Sequence, residues 1–419
     1  MSAESAPLPA FAGYGIELEY MIVEQTHLSP LPIADRVLRA ATTEPEFSSV
    51  DRGKLGWSNE MVLHVIEIKN LQPTADLEKL PAAFQSEIRF LNRMLAPYGA
   101  RLMPGAMHPW MDPRREMQLW PHDNADLYAA YGRIFDCRSH GWANLQSMHI
   151  NLPFAGDTQF AHLHAAIRLV LPILPALAAS SPIADGRDTG FADFRMEAYR
   201  GNAQPFDAIA GKVVPETVSG RVEYESKILA PMYDAIGPHD PGHLLRHEWL
   251  NSRGAIARFE RDAIEIRVID TQECPQADLA IAAAVITLVA ALYEAGEHAL
   301  APQQAIDTDV LSEILLACIR HADEAVIDND EYLTLLGYTG GRCTARELWR
   351  HLIDNETLLP LWREPLQIML DQGPLARRIL RAVNGDYSRE NLEMVYRRLC
   401  DCLQEGRMFC DSEVGRMLD

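Results

Sequence analysis

Glutamates recur in this sequence on segments whose patterning predicts β-strands. In residues 14–24, YGIELEYMIVE, alternation of polar and apolar positions places Glu17 and Glu19 on one strand face. Glu60 and Glu67 bracket a second expected strand, EMVLHVIEIKN at 60–70, and Glu265 lies in AIEIRVID at 263–270, the clearest strand of the chain. A histidine, His149, interrupts the apolar strand SMHINLP at 147–153, with Asn151 two residues on and therefore on the same face. Carboxylates are costly to bury unless a cation or hydrogen-bond donors neutralise them. Hard divalent cations such as magnesium take carboxylate oxygens and leave their other positions to water and phosphate. Any one of these glutamates could instead face solvent on the open side of an antiparallel sheet; only the set argues for a metal.

A transferring phosphoryl group also needs fixed positive charge. Arg195 follows the glycine-bearing loop SSPIADGRDTG, and Arg253, Arg258, Arg261 and Arg267 cluster around the glutamate strand. Glu265 and Arg267 are two residues apart and face the same way. Either they form an ordinary ion pair, or one serves a metal and the other a phosphate or a substrate carboxylate. Neither GxxxxGK[ST] nor GxGxxG follows an expected strand, so ATP, if used, is not held by a P-loop or a dinucleotide-binding turn. The GYTGGRCT segment at 337–344 lacks the lysine and reads as a turn before a helix capped by Thr344 and Glu347. The pairs His243/His247 and His162/His164 read as solvated or structural, and Trp57, Trp110, Trp120 and Trp142 as core aromatics.

These residues need a sheet to hold them. The expected strands are separated by helices at about 74–95, 158–180 and from 278, while residues beyond 300 read as helical and 201–250 are poorly patterned. That order favours an α+β fold with an antiparallel or mixed sheet over a doubly wound one. With 419 residues, 48% hydrophobic, and no repeat or linker, the chain reads as one unit, residues 1–419, with a sheet-bearing core over 13–300 and a helical region over 301–419. A formal charge of −21 opposes extended contact with nucleic acid or anionic lipid. The leading MSAESAPLPAFAG lacks the features of an export signal, which predicts a cytoplasmic protein. The most apolar stretches, 165–179 and 279–293, fall short of a membrane span and read as buried helices. Seven cysteines without a CxxC pair suggest neither a disulfide framework nor a zinc cage.

Three motifs, GIELEY, SSPIADGRDTGFADFR and AIEIRVID, together with NEMVLHVIEIKN and SMHINLP in the intervals between them, resemble the glutamate-cysteine ligase family, in its bacterial carboxylate-amine ligase group. The likeness runs from residue 13 to about 272. It implies a glutamine-synthetase-like, mainly antiparallel sheet curved into a funnel and flanked by helices, using ATP and Mg2+. By the same likeness Glu17, Glu19, Glu60, Glu67 and Glu265 hold magnesium. His149 joins them as a metal ligand near the nucleotide phosphates with Asn151 beside it, Arg258 belongs to the nucleotide side, and Arg195 and Arg267 face phosphate or the substrate carboxylate. The implied chemistry is an acyl phosphate displaced by an amine, on small substrates such as glutamate and cysteine; a homo-oligomer is compatible with it. Many relatives carry HVHVG where this chain has Ser147 and Asn151, which puts the usual substrate in doubt.

Overall fold

A computed structural model of the chain describes residues 6–410; the first five residues of the leading segment read above as no export signal lie outside them. One sheet of eight strands organises the molecule. Its strands are β1 (Gly15–Glu24), β2 (Ser49–Asp51), β3 (Leu55–Asn59), β4 (Val65–Asn70), β5 (Ala100–Met103) and β6 (Ser147–Pro153), joined by two later strands. Two short hairpin strands intervene, β7 (Ile183–Ala184) and β8 (Arg187–Asp188), before β9 (Ala255–Arg258) and β10 (Ala263–Asp270) complete the sheet. The order is β2-β3-β4-β1-β6-β10-β9, with β5 also pairing β1, and every ladder is antiparallel.

Period-2 alternation divides this sheet into two chemically different faces. Ile16, Leu18, Ile66, Ile68, Ile150, Ile264 and Ile266 point to one side and are buried in a connected apolar cluster that reaches Phe409. The helices Leu80–Leu95, Gly156–Val170 and Pro275–Glu294 pack in that layer. In-register partners share a face. The pairings Glu17 with Lys69 and His149, Glu19 with Glu67, Ser58 with Glu67, and Glu265 with Asn151 therefore collect every polar strand residue named above on the other side.

Several expectations shift. The 60–70 segment is not one strand, because residues 61–63 turn away to bond the 118–120 segment: Leu63 N donates to Gln118 O and Trp120 N to Met61 O. This buries Val62 and Leu63 and leaves Glu60 just beyond the end of β3. The 74–95 helix starts later, as a 3-10 turn at Leu77–Lys79 followed by Leu80–Leu95. Both apolar helices form, the first as long as the 158–180 segment read from the sequence and the second starting three residues before 278. Gly156–Ala178 runs 23 residues, interrupted by a 3-10 turn at Leu171–Ile173, and Pro275–Glu294 runs 20; their most apolar windows are 94% and 72% buried inside the protein. Length and composition alone would let either cross a bilayer, but both are core helices here. The glycine-bearing loop forms the β7–β8 hairpin, and 201–250 folds into short helical turns. Over the described residues 301–410 the regular structure is helical apart from the short pair β11 (Val326–Ile327) and β12 (Cys343–Thr344), and the Thr344–Glu347 capping box is present.

His164 lies in the buried layer, stacked on Phe160 with centroids 5.3 Å apart, and its Nε2 has no hydrogen-bond partner among the described residues. Burial pulls its pKa down to about 3 from the ordinary 6.5. The unfolded chain then takes up a proton that the folded one refuses, so this group subtracts stability as pH falls below about 6.5. His164→Leu should lose about 2 kcal/mol less stability than the parent between pH 7 and pH 5, read by denaturant unfolding at both values. Equal losses in the two proteins would show that His164 is not held neutral.

Candidate active site

Strand register brings eleven polar groups onto one patch of the sheet. His149 is its centre: Nδ1 lies 3.2 Å from Glu17 Oε2 and 3.9 Å from Glu265 Oε1, and Nε2 lies 3.9 Å from Glu19 Oε1. Ser147, in place of the first histidine of the family pattern, donates from its backbone N (2.7 Å) and its hydroxyl (3.0 Å) to Glu19 Oε2. Asn151 donates to Glu17 Oε1 at 3.2 Å. Lys69 and Ser58 both reach Glu67 Oε1, at 2.5 and 2.6 Å. On the other flank Glu265 is gripped by Arg258 at its Oε2 and by Arg267 at its Oε1, each at 3.0 Å. A bulge in β10 between Ile266 and Ile269 inserts one extra residue there, the kind of irregularity that re-aims a neighbouring side chain such as Arg267.

Among the described residues, ligand atoms gather into two triads within 4.8 Å, Glu17–Glu67–His149 and Glu19–Glu60–Glu67, which share Glu67. Glu265 belongs to neither; its oxygens are engaged by arginines. Arg195 sits deeper than its sequence reading implied. Its guanidinium bonds Asp270 at the end of β10, and Asp270 also accepts from Ser180 N (2.7 Å) and Ser181 Oγ (2.8 Å). The serine–arginine motif and the glutamate-strand motif are thus two halves of one buried brace, and Arg195 reaches the cleft only as a lining residue. Arg253 leaves the patch altogether for Glu216, while Arg261 lies at the cleft rim beside Glu260.

Two joined cavities open over the patch. The larger, about 370 Å3, is lined by Glu17, Glu67, Lys69, Arg258, Glu265 and Tyr128 among others. A smaller one of about 170 Å3 is lined by Ser147, Arg195, Tyr199, Asn202 and apolar residues. Glu19, Glu60, His149, Arg267, Tyr131, Trp142 and Trp249 line both. Lys69 was missed in the sequence although it stands two residues from Glu67 in IEIKN, so strand parity could have found it. Trp142, expected in the core, is a wall of the site. Tyr199 and Asn202 carried no sequence signal.

The crowding shows in the protonation states. Burial, reinforced by the charges of Glu19 and Glu67, pushes the Glu60 carboxyl well above its ordinary 4.5. Burial and the Glu17 charge push Glu67 up to about 7. Glu17 moves the other way: burial would raise it, but the His149 hydrogen bond and charge hold it well below the usual carboxylate range. Burial opposes a charge on His149, yet Glu17, Glu19 and Glu265 raise its pKa. Lys69, despite burial, rises to about 12 beside Glu67 and Glu17. An all-carboxylate triad of this kind fits a hard divalent cation, whose charge would replace the protons on Glu60 and Glu67. The triad containing His149 competes with a proton that its carboxylate neighbours favour on the ring.

The profile of the glutamate-cysteine ligase family 2 matches residues 14–398. An uncharacterized protein of Archaeoglobus fulgidus is 30% identical over 398 residues, covering 94% of this chain and 99% of its own length. A Bradyrhizobium sp. (strain ORS 278) protein, named provisionally as a glutamate–cysteine ligase 2, is 24% identical over 67% of this chain and 60% of its own. Among solved structures, a glutamate–cysteine ligase from Francisella tularensis in complex with AMP superposes with a TM-score of 0.56 at 12% identity, covering 96% of this chain and 91% of that one. A bifunctional glutathione synthetase from Pasteurella multocida gives 0.54 at 12% identity, covering 93% of this chain and 52% of that one. These two likenesses are of fold.

Because burial and its acidic neighbours hold the folded Glu60 carboxyl well above its ordinary 4.5, the group subtracts no stability below about pH 4.5 and subtracts more as pH rises. In protein stripped of divalent ions, Glu60→Gln should be more stable than the parent by on the order of 1 kcal/mol at pH 7.5 and equal to it near pH 4.5, and magnesium should raise the melting temperature of the parent alone. A variant less stable than the parent at pH 7.5 would mean that Glu60 is a structural carboxylate.

Proposed function

Because the chain belongs to glutamate-cysteine ligase family 2, we propose that it is an ATP- and magnesium-dependent carboxylate-amine ligase that joins the side-chain carboxylate of glutamate to an amine such as that of cysteine. The observation that carries this reading is the patch itself: five glutamates from three strands and one turn, held in a cleft with Lys69, His149, Arg258 and Arg267. Such a patch suits a cation–triphosphate complex better than it suits any neutral ligand.

In this reading Glu19, Glu60 and Glu67 hold magnesium, with Glu17 adjoining through Glu67, and the metal when bound draws charge from the nucleotide's phosphates. His149, whose proton is favoured by its carboxylate neighbours, faces phosphate and is a weaker candidate as a metal ligand. Arg267 and Lys69 present fixed charge to the phosphoryl group or the substrate carboxylate. Glu265 acts by orienting Arg258 and Arg267, and Arg195 by bracing the end of β10. A carboxylate oxygen of the acid substrate attacks the γ-phosphorus and ADP leaves. The amine nitrogen then attacks the acyl carbon, phosphate departs, and the nitrogen loses a proton as the amide forms. The protein positions and neutralises, which is where most of the acceleration of phosphoryl transfer arises. The sheet forms the wall of the funnel between nucleotide and amino acid, in one catalytic unit spanning the chain, consistent with a cytoplasmic enzyme of glutathione-type biosynthesis.

Purified protein with ATP, magnesium, glutamate and an amine panel should release ADP only when all are present. Glu67→Gln should lower that rate by at least about 10³-fold, since Glu67 serves both triads, with the melting temperature held within a few degrees. ADP release independent of glutamate, or a folded Glu67→Gln of full activity, would overturn the proposal.

A further inference from the structure

A cavity of about 380 Å3 lies on the far side of the cleft wall, between the 200–213 segment and the helix Thr308–His321. The wall between them is a single stretch of chain. Tyr199 and Asn202 line the cleft, while Arg200, Ala203, Gln204 and Phe206 line the outer cavity. Two contacts connect this stretch to Trp142, an indole in the cleft. Trp142 Nε1 donates to Asn202 O at 2.8 Å, and Phe206 meets Phe135 edge-on at 5.8 Å, with Phe135 in turn 5.2 Å from Trp142. Rings at these separations are packed against one another, so the outer lining is in mechanical contact with the cleft. Val213, also on the outer lining, is held at φ 68°, a left-handed conformation that a β-branched residue keeps only where its neighbours impose it. Gly254 N does so by donating to Val213 O at 2.7 Å. Strain of this kind collects at functional sites.

The lining of the outer cavity is mixed. Phe206, Leu315, Leu316 and Ile319 supply apolar surface, and Leu316 is 39% exposed, an aliphatic side chain left open to water. Unused charge of both signs accompanies it. Arg200 holds Glu197 through Nε and Nη2, at 2.6 and 2.8 Å, which leaves the hydrogens of Nη1 to give. The side chains of Asp207 and Glu313 have no hydrogen bond or ion pair among the described residues, whereas Lys212 is already engaged by Asp309. The complement of such a lining carries an ammonium, a carboxylate and an apolar body, and the volume falls within the roughly 300–1,000 Å3 of small-molecule sites.

We propose that this outer cavity is an effector site for an α-amino acid with a large apolar side chain, and that its occupant acts on the cleft through the shared wall and Trp142. The ammonium faces the carboxylates of Asp207 and Glu313, the carboxylate faces Arg200, and the side chain rests against Phe206, Leu315 and Leu316. The assignment goes beyond the ligase reading and does not depend on what the cleft catalyses. Coupling of this kind is reciprocal: whatever occupancy does to binding in the cleft, a cleft ligand does to the effector in return.

Equilibrium dialysis of the full chain should detect L-phenylalanine binding. Phenethylamine and 3-phenylpropanoate, each lacking one of the two charges, should bind at least about tenfold more weakly, and glycine, lacking the apolar body, more weakly still. Leu316→Arg and Glu313→Lys, both at exposed positions of one helix, should each weaken phenylalanine at least about tenfold with the melting temperature held within a few degrees. Saturating phenylalanine should change the tryptophan emission of the parent, and Trp142→Phe should bind the amino acid equally with that change lost. Phenylalanine held as tightly by Leu316→Arg and Glu313→Lys as by the parent would place it elsewhere, and phenethylamine held as tightly as phenylalanine would reduce the cavity to an acidic surface. Either result, or no phenylalanine binding by the parent, overturns the assignment. An emission change that survives Trp142→Phe overturns the path to the cleft.

Discussion

Four carboxylates on one face of an antiparallel sheet and a fifth, Glu60, from the turn beside it line one cleft in this protein, and within the triads their oxygens lie where two unit charges repel by about 3–4 kcal/mol even with an effective dielectric constant near 20. No strand would carry them in this way for packing alone, since alternation could have placed apolar residues there at no such cost. The fold answers the repulsion with local cations, Lys69 at Glu67, His149 at Glu17, Arg258 and Arg267 at Glu265, and with carboxyl pKa values pushed upward at Glu60 and Glu67. What is left is a region under electrostatic tension whose natural relief is a divalent cation. In the proposed reading, the same residues that repel one another would give a nucleotide–metal complex its affinity.

That tension requires a rigid frame, and the frame is built around the C-terminal end of β10. Asp270 ties Arg195, Ser180 and Ser181 to the sheet. Three residues on, Glu273 forms a wholly buried ion pair with Arg378 and also accepts from Phe409 N, so the C-terminal helices are locked to the same point. Breaking one partner of such a pair leaves an uncompensated buried charge, a penalty of several kcal/mol. Arg397, from the final helix Arg389–Glu405, adds bonds to the Gln25 and Thr26 carbonyls just past β1. The helical third is therefore a buttress that fixes the ends of the two central strands on which Glu17, Glu19 and Glu265 are mounted.

Division of the cleft into a charged chamber and a partly apolar one follows from the turn at residues 61–63. By leaving the sheet to pair with the 118–120 segment, that turn places Glu60 on the dividing wall and presents Met61 and Val62 to the smaller space. The bulge at Arg267 does the equivalent on the far side, giving both chambers a share of one guanidinium.

The sequence by itself determined which residues share a face. Alternation in GIELEY, SMHINLP and AIEIRVID is a local property, and the strands 147–153 and 263–270 form with the bounds their pattern implies. Their order along the chain was equally legible, as was the helical C-terminal region. Only tertiary structure decided where each charge finds its partner. Glu60 leaves its strand because apolar neighbours gain burial against a segment nearly sixty residues away. Arg195 turns to Asp270, Arg253 turns to Glu216, and Tyr199 and Asn202 enter the site from a stretch without periodicity. The reason is one of range: side-chain parity is set by neighbouring peptide units, whereas charge pairing and cavity shape are set by contacts between residues distant in the chain, which no local spacing encodes.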